Sequence, residues 1–217
     1  MTLVVACATP DIGFIVADTL LSSEFELKGR EGPVNGKYHA LKVQILNPCT
    51  AIAFAGDVEP SFALITNLHA ELHDDPSVCV PERLFHNYLK AIEDAPKGQI
   101  PDCEFLVLQL NSAGHKLAHI TREGVLACER AYIGNSEEYR RMKGLQRTYA
   151  PPVAQMIQQP DGSFAEESLL VSKGEIEFAE ISSALETLCH ERSSKSVGAI
   201  CGNVTRVVDG RISGELE

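Results

Sequence analysis

A threonine follows the first methionine, and two charged residues further along, Asp18 and Lys42, interrupt apolar surroundings. Asp18 sits inside the run Ile15-Val16-Ala17-Asp18-Thr19-Leu20-Leu21, and Lys42 lies between Leu41 and Val43 on a segment that otherwise reads as buried strand. A small second residue such as Thr2 normally permits removal of Met1, which would leave Thr2 with a free α-amine. A hydroxyl is a poor nucleophile without a base beside it, and the amine of the same residue can be that base. Its unperturbed pKa is about 7.7–8.0, so much of it stays protonated at neutral pH. A fixed positive charge nearby lowers that value by disfavouring the ammonium form. At about 4 Å and an effective dielectric of 20, such a charge contributes up to about 4 kcal/mol. Buried carboxylates and ammonium groups are costly unless paired, so Asp18 and Lys42 imply each other. Taken singly, Asp18 reads as a strand-end residue and Lys42 as an edge lysine whose head reaches water. Together with Thr2 they make a nucleophile, a charge and a group that orients the charge.

Strands must hold these residues. Thr2–Ala8 and Phe14–Leu21 read as two strands around a turn at Pro10-Asp11-Ile12-Gly13. Both are almost continuously apolar, as expected of strands covered on both faces. Residues 23–40 are polar, with Gly29, Gly32, Pro33 and Gly36, and read as a long hairpin connection. Leu41–Leu46 and Thr50–Ala55 follow as strands. The period then turns helical: Phe62, Ile65, Leu68 and Leu72, then Leu84, Phe85, Tyr88, Leu89 and Ile92, predict two amphipathic helices split near Asp75-Pro76. Phe105–Leu110, Lys116–Thr121 and Val125–Ile133 predict a second β block. A helix is expected over 136–147, irregular chain around Pro151-Pro152 and Gly162, and a further helix from about Glu175 to Arg192. Strands near Val197–Val208 and at Arg211–Leu216 close the chain. Such segregated blocks point to one α+β domain over 1–217. The expected form is a four-layer αββα sandwich, two antiparallel sheets face to face with helices outside.

Composition excludes several classes. The net charge is −11, from 19 Lys and Arg against 30 Asp and Glu, with no cluster of basic and aromatic residues to contact nucleic acid. Seven cysteines without a C-x-x-C pair argue against a disulfide framework or zinc ribbon and for a reducing compartment. No Lys or Arg precedes Lys28, so no secretory signal is expected, and Pro10-Asp11 break the apolar start short of a membrane span. A cytoplasmic protein without a nucleic-acid or membrane partner is the expectation. His69 and His73 share a helical face, but two ligands without the His-Glu-x-x-His order do not make a metal site. The segment from Gly32 to Lys37 is one residue short of a phosphate loop, and Tyr38 stands where Ser or Thr is needed. No cofactor is expected.

The chain resembles the proteasome β-type subunits and their bacterial relatives of the HslV and Anbu kind. The likeness runs through Thr2-Leu3-Val4-Val5, Gly13-Phe14-Ile15-Val16-Ala17-Asp18, Leu41-Lys42-Val43 and Ala53-Phe54-Ala55-Gly56. It resumes at Phe105-Leu106-Val107 and Ala131-Tyr132-Ile133-Gly134 and ends at Val197-Gly198-Ala199. It implies the Ntn-hydrolase fold and a threonine-type peptidase, assembled in rings and acting on peptides or unfolded proteins, with an unfolding ATPase as a further partner. By the resemblance Thr2 attacks, Lys42 tunes, Asp18 holds Lys42, and the Gly56 N–H stabilises the oxyanion. The glycine is equally explained by a tight strand-to-helix turn. Ser22 would pair with substrate backbone, and Leu21, Phe54 and Val58 would line the first specificity pocket, with Phe54 making it shallow.

Two positions depart from the family. Asn135, followed by Ser136, stands where a serine follows the glycine, and Ser194 stands where an aspartate is usual. Asn and Ser can still hydrogen-bond the amine and its water. The connection between Asp18 and Lys42 is longer than the family's, which leaves Lys37 as a competitor for Lys42. Two other readings remain. One is a non-proteolytic protein of the same fold, a small-molecule amidase or an inactive structural subunit. The other is a plain scaffold or binding module, in which Asp18 and Lys42 would lie apart.

Overall fold

The computed structural model describes residues 2–9, 12–18, 20–21, 38–39, 42–111, 114–148, 154–158, 163–168, 172–191, 200–208 and 211–216. Along the chain come β1 (Leu3–Ala8), β2 (Gly13–Asp18), β3 (Leu20–Leu21), β4 (Tyr38–His39), β5 (Val43–Asn47) and β6 (Thr50–Gly56). Two helices follow, α1 (Val58–Asp74) and α2 (Val80–Glu93). The second β block holds β7 (Cys103–Asn111), β8 (Gly114–Thr121), β9 (Gly124–Cys128) and β10 (Arg130–Gly134). Then come α3 (Ser136–Leu145), β11 (Ala154–Gln158), β12 (Phe164–Ser168), α4 (Lys173–Glu191), β13 (Ile200–Val208) and β14 (Arg211–Leu216).

Two five-stranded antiparallel sheets form the α+β body. The first has the order β10-β1-β2-β13-β14 and the second β5-β6-β7-β8-β9. Strand alternation decides which side chains meet between them. Val4, Ala6 and Ala17 of the first sheet pack against Ala53, Ala55 and Leu106 of the second. The opposite faces meet helices. Leu3, Val5 and Phe14 pack on Met142 of α3 and Leu185 of α4. Ile52, Phe54 and Phe105 pack on Ile65 and Leu68 of α1 and on Leu84 of α2. Because every residue of β1 and β2 faces one layer or the other, both strands are buried along their whole length. That is why the sequence shows no polar alternation there. Among the described residues no helix is long and apolar enough to cross a membrane.

Three expectations are corrected. The run Val125–Ile133 is not one strand: it breaks at Glu129, so that β9 pairs with β8 in the second sheet and β10 with β1 in the first. The Ala8 N–H donates to the Glu129 carbonyl at 2.8 Å, fixing the chain where it passes between sheets. The charged pair Glu129-Arg130 inside the run marks the crossing, but with strand on both sides of it the sequence reads through as one element. The stretch expected to be irregular contains the hairpin β11–β12, with Ala154 opposite Ser168 and Gln158 opposite Phe164. The second strand stops at Asp18, and Leu20–Leu21, expected to continue it, pair instead with Tyr38–His39 near the end of the expected long connection. Residues 23–37 of that connection lie outside the described residues.

Candidate functional site

Thr2 is half-buried just ahead of β1, which lies between β10 and β2. The β1–β2 ladder runs from Ala8 opposite Gly13 to Val4 opposite Ala17, which brings Leu3 to Asp18 as the pairing ends. There a side chain takes over from the ladder: Asp18 Oδ2 accepts the Leu3 N–H at 2.5 Å. The other oxygen, Oδ1, accepts from Lys42 Nζ at 2.5 Å. One carboxylate thus joins the peptide group between Thr2 and Leu3 to an ammonium carried by the other sheet.

Both side chains of the pair are 0% exposed. Lys42 stands just before β5, and its carbonyl accepts the Phe54 N–H at 3.2 Å, so its main chain belongs to the second sheet while its side chain crosses to the first. Burial pushes the Lys42 ammonium below the usual lysine range, and the charge of Asp18 works against that shift. Removing either partner would take the counter-charge from a buried ion, at a cost of about 3–5 kcal/mol. The separation expected of a plain scaffold is therefore not what the fold produces: Asp18 and Lys42 are in direct contact.

The carbonyl of Thr2 is fixed from its other side. The Asn135 N–H donates to it at 2.7 Å. Gly134 lies so close that a Cβ there would stand 2.0 Å from the Thr2 oxygen and 3.4 Å from the Thr2 Cβ. Its φ is +93°, so conformation and space both demand glycine. Asn135 is also the N-cap of α3, its side-chain oxygen accepting from the N–H groups of Glu137 at 2.9 Å and Glu138 at 3.0 Å. It meets Thr2 through its main chain and turns that oxygen to the helix. Ser136 is exposed on the first turn of α3.

Gly56 ends β6 with φ +93°, and a Cβ on it would stand 2.0 Å from the Asp102 carbonyl oxygen. This strand-to-helix corner alone requires glycine. Phe54, expected to line a shallow pocket, is 1% exposed and meets Phe62 edge-on with ring centroids 5.0 Å apart. Its parity on β6 turns it to α1, so it belongs to the core on the helical side of the second sheet. Val58 is half-buried against the same core. Leu21 lies on β3 opposite Tyr38. Ser22, Lys37 and Ser194 lie outside the described residues.

The sequence-based expectations did not include Glu104. It is half-buried on β7 opposite Ala55, and its Oε2 accepts the Gly134 N–H at 3.1 Å. The signal was present: a carboxylate inside Cys103-Glu104-Phe105-Leu106-Val107 is the same anomaly that singled out Asp18. Among the described residues no group of three or more His, Cys, Asp or Glu is placed to hold a metal ion, and His69 and His73 are both exposed on α1. No family model matches the chain, and no curated protein matches it in sequence. Chemically, the arrangement places a half-buried threonine at a strand's start, with a buried cation reached through a single carboxylate. A free amine on Thr2 would lie in the field of that cation.

Proposed function

We propose that this protein is an N-terminal-threonine hydrolase of the proteasome β-type kind, with the Ntn-hydrolase fold, that cleaves peptide bonds. The observation that carries the reading is the fully buried Asp18–Lys42 pair anchored on the Leu3 N–H, one residue from Thr2. A buried ion pair is weak as a source of stability, so its position at the start of β1 calls for another use. With Met1 removed, Thr2 Oγ attacks the peptide carbonyl while the Thr2 amine, through a water, takes the hydroxyl proton. Lys42 keeps that amine unprotonated and favours the attacking oxygen; Asp18 keeps Lys42 aimed. The Gly56 N–H donates to the oxyanion, an effect worth about 3 kcal/mol. The proton then passes to the departing amine, leaving an acyl ester on Thr2 that water hydrolyses. Asn135, Ser136 and Ser194 orient the amine and its water. Ser22 pairs with the substrate backbone, and Leu21 and Val58 flank its side chain. The same reading takes the protein as cytoplasmic, assembled into rings and served by an unfolding ATPase. A fluorogenic-peptide assay compares mature protein with Thr2→Ala: turnover is expected to vanish, and equal turnover ends the proposal.

One observation favours a second reading. The side-chain oxygen of Asn135, at the family's serine position, is directed to two amides of α3. An inactive structural subunit or small-molecule amidase would tolerate that. Intact mass spectrometry discriminates, since a protein that keeps Met1 has its Thr2 amine blocked.

A further inference from the structure

Facing sheets share no backbone hydrogen bonds and stand about 10 Å apart, so their separation at any point depends on the side chains between them. Near Thr2 that matters, because the two parts of the proposed site lie on different sheets. Thr2 heads β1 in the first sheet, and Gly56 ends β6 in the second. Much of the layer between them is alanine, including Ala6, Ala17, Ala53 and Ala55, whose short side chains interlock little.

Among the described residues two polar ties cross this layer near Thr2, while a third, from His115 Nδ1 of β8 to the Thr9 carbonyl at 3.1 Å, lies at the far end of β1. β1 lies between β2 and β10, and β6 lies between β5 and β7. On one flank Lys42, at the start of β5, reaches Asp18 of β2. On the other flank Glu104 of β7 reaches the Gly134 N–H of β10. The second tie touches both halves of the site. Glu104 is opposite Ala55, beside the Gly56–Cys103 pair. Gly134 presses on the Thr2 carbonyl, which the next residue, Asn135, holds by its N–H.

We infer that Glu104 is a positioning residue that fixes the separation of Thr2 and Gly56 by holding the Gly134 N–H across the sheet interface. The inference rests on the hydrolase reading for its catalytic consequence. Glu104 touches no reacting atom. It acts through Gly134, and an ionised carboxylate makes a stronger acceptor for that N–H than a neutral group would. Displacing a nucleophile by about 1 Å can cost roughly 100-fold in rate, so the loss of a tie this close should be visible in turnover.

The experiment compares full-length wild type with Glu104→Met, which keeps the bulk and loses the acceptor, and Glu104→Gln, which keeps an acceptor oxygen. Peptide turnover and amide hydrogen exchange at Gly134 are measured for all three. In Glu104→Met, kcat is expected to fall roughly 10- to 100-fold with KM little changed, and Gly134 exchange to speed up. Glu104→Gln should restore most of both. Wild-type kcat in Glu104→Met, unchanged Gly134 exchange, or a Glu104→Gln as slow as Glu104→Met would each overturn the inference. Turnover that survives Thr2→Ala sinks the hydrolase reading instead, and the tie is then judged on Gly134 exchange alone.

Discussion

Two corners of the molecule are built alike. Gly56 ends β6 and Gly134 ends β10; each has φ +93°, and each lies where a Cβ would stand 2.0 Å from a neighbouring carbonyl oxygen. The next residue then donates its N–H to that same carbonyl, Asp57 to Asp102 at 2.9 Å and Asn135 to Thr2 at 2.7 Å, and a helix begins. The difference lies in the neighbour. At Gly56 it is Asp102, whose own N–H donates back to Asp57 Oδ2 at 2.9 Å, closing a reciprocal pair. At Gly134 it is Thr2, and the Asn135 side chain caps α3 instead. Glycine, carbonyl and N–H are therefore a general device of this fold for turning strand into helix. What gives one corner chemical potential is the residue on the far side of the carbonyl, together with the buried pair behind it.

The largest test removes what the Gly56 corner lacks. Lys42→Met is expected to abolish peptide turnover and to cost about 3–5 kcal/mol in denaturant unfolding, because the buried Asp18 loses its counter-charge. The double variant Asp18→Leu with Lys42→Met should recover much of that stability and none of the activity. Next, Gly56→Ala and Gly134→Ala should each lose more than about 2 kcal/mol, since both meet a left-handed backbone and a carbonyl that cannot withdraw. Closely matched losses sustain the likeness of the corners, and widely unequal ones break it. A smaller effect separates the two capping residues. Asn135→Ala should cost about 1 kcal/mol and speed amide exchange in the first turn of α3. Asp57→Ala should cost about as much and speed exchange at Asp102 rather than in α1, where the Asp57 side chain makes no cap bond.

The smallest effect is a local rate. Burial pushes the Cys103 thiol up to about 11, and its Sγ lies 3.7 Å from the Asp57 carbonyl. At pH 8, thiol labelling followed by peptide mapping should find exposed Cys49 modified well before Cys103. Gly56→Ala should quicken Cys103 labelling, and Gly134→Ala should not.

Asp18 and Lys42 are readable because each is a charge inside an apolar segment, and burial forces such charges to find one another. Glu104 breaks the same rule, but the continuous apolar run begins one residue later, at Phe105, which puts the carboxylate outside the expected strand. The crossing at Glu129 leaves only the charged pair Glu129-Arg130 as its mark, and with strands on both sides that pair does not reveal that the sheet changes. Likeness alone places Phe54 in a pocket. Its ring faces α1, a consequence of strand parity that only the register of β6 against β7 makes plain.

Local chemistry determined most of the elements: apolar periodicity set the main strands and helices, and Gly56 after an apolar run marked a strand-to-helix turn. Those signals act over a few residues, within reach of backbone hydrogen bonding and side-chain alternation. The contacts that assemble the site join residues 24 and 30 positions apart, Lys42 to Asp18 and Glu104 to Gly134. They exist only because two sheets close face to face, and burial of apolar surface, which has no directional preference, drives that closure without specifying which polar groups will meet.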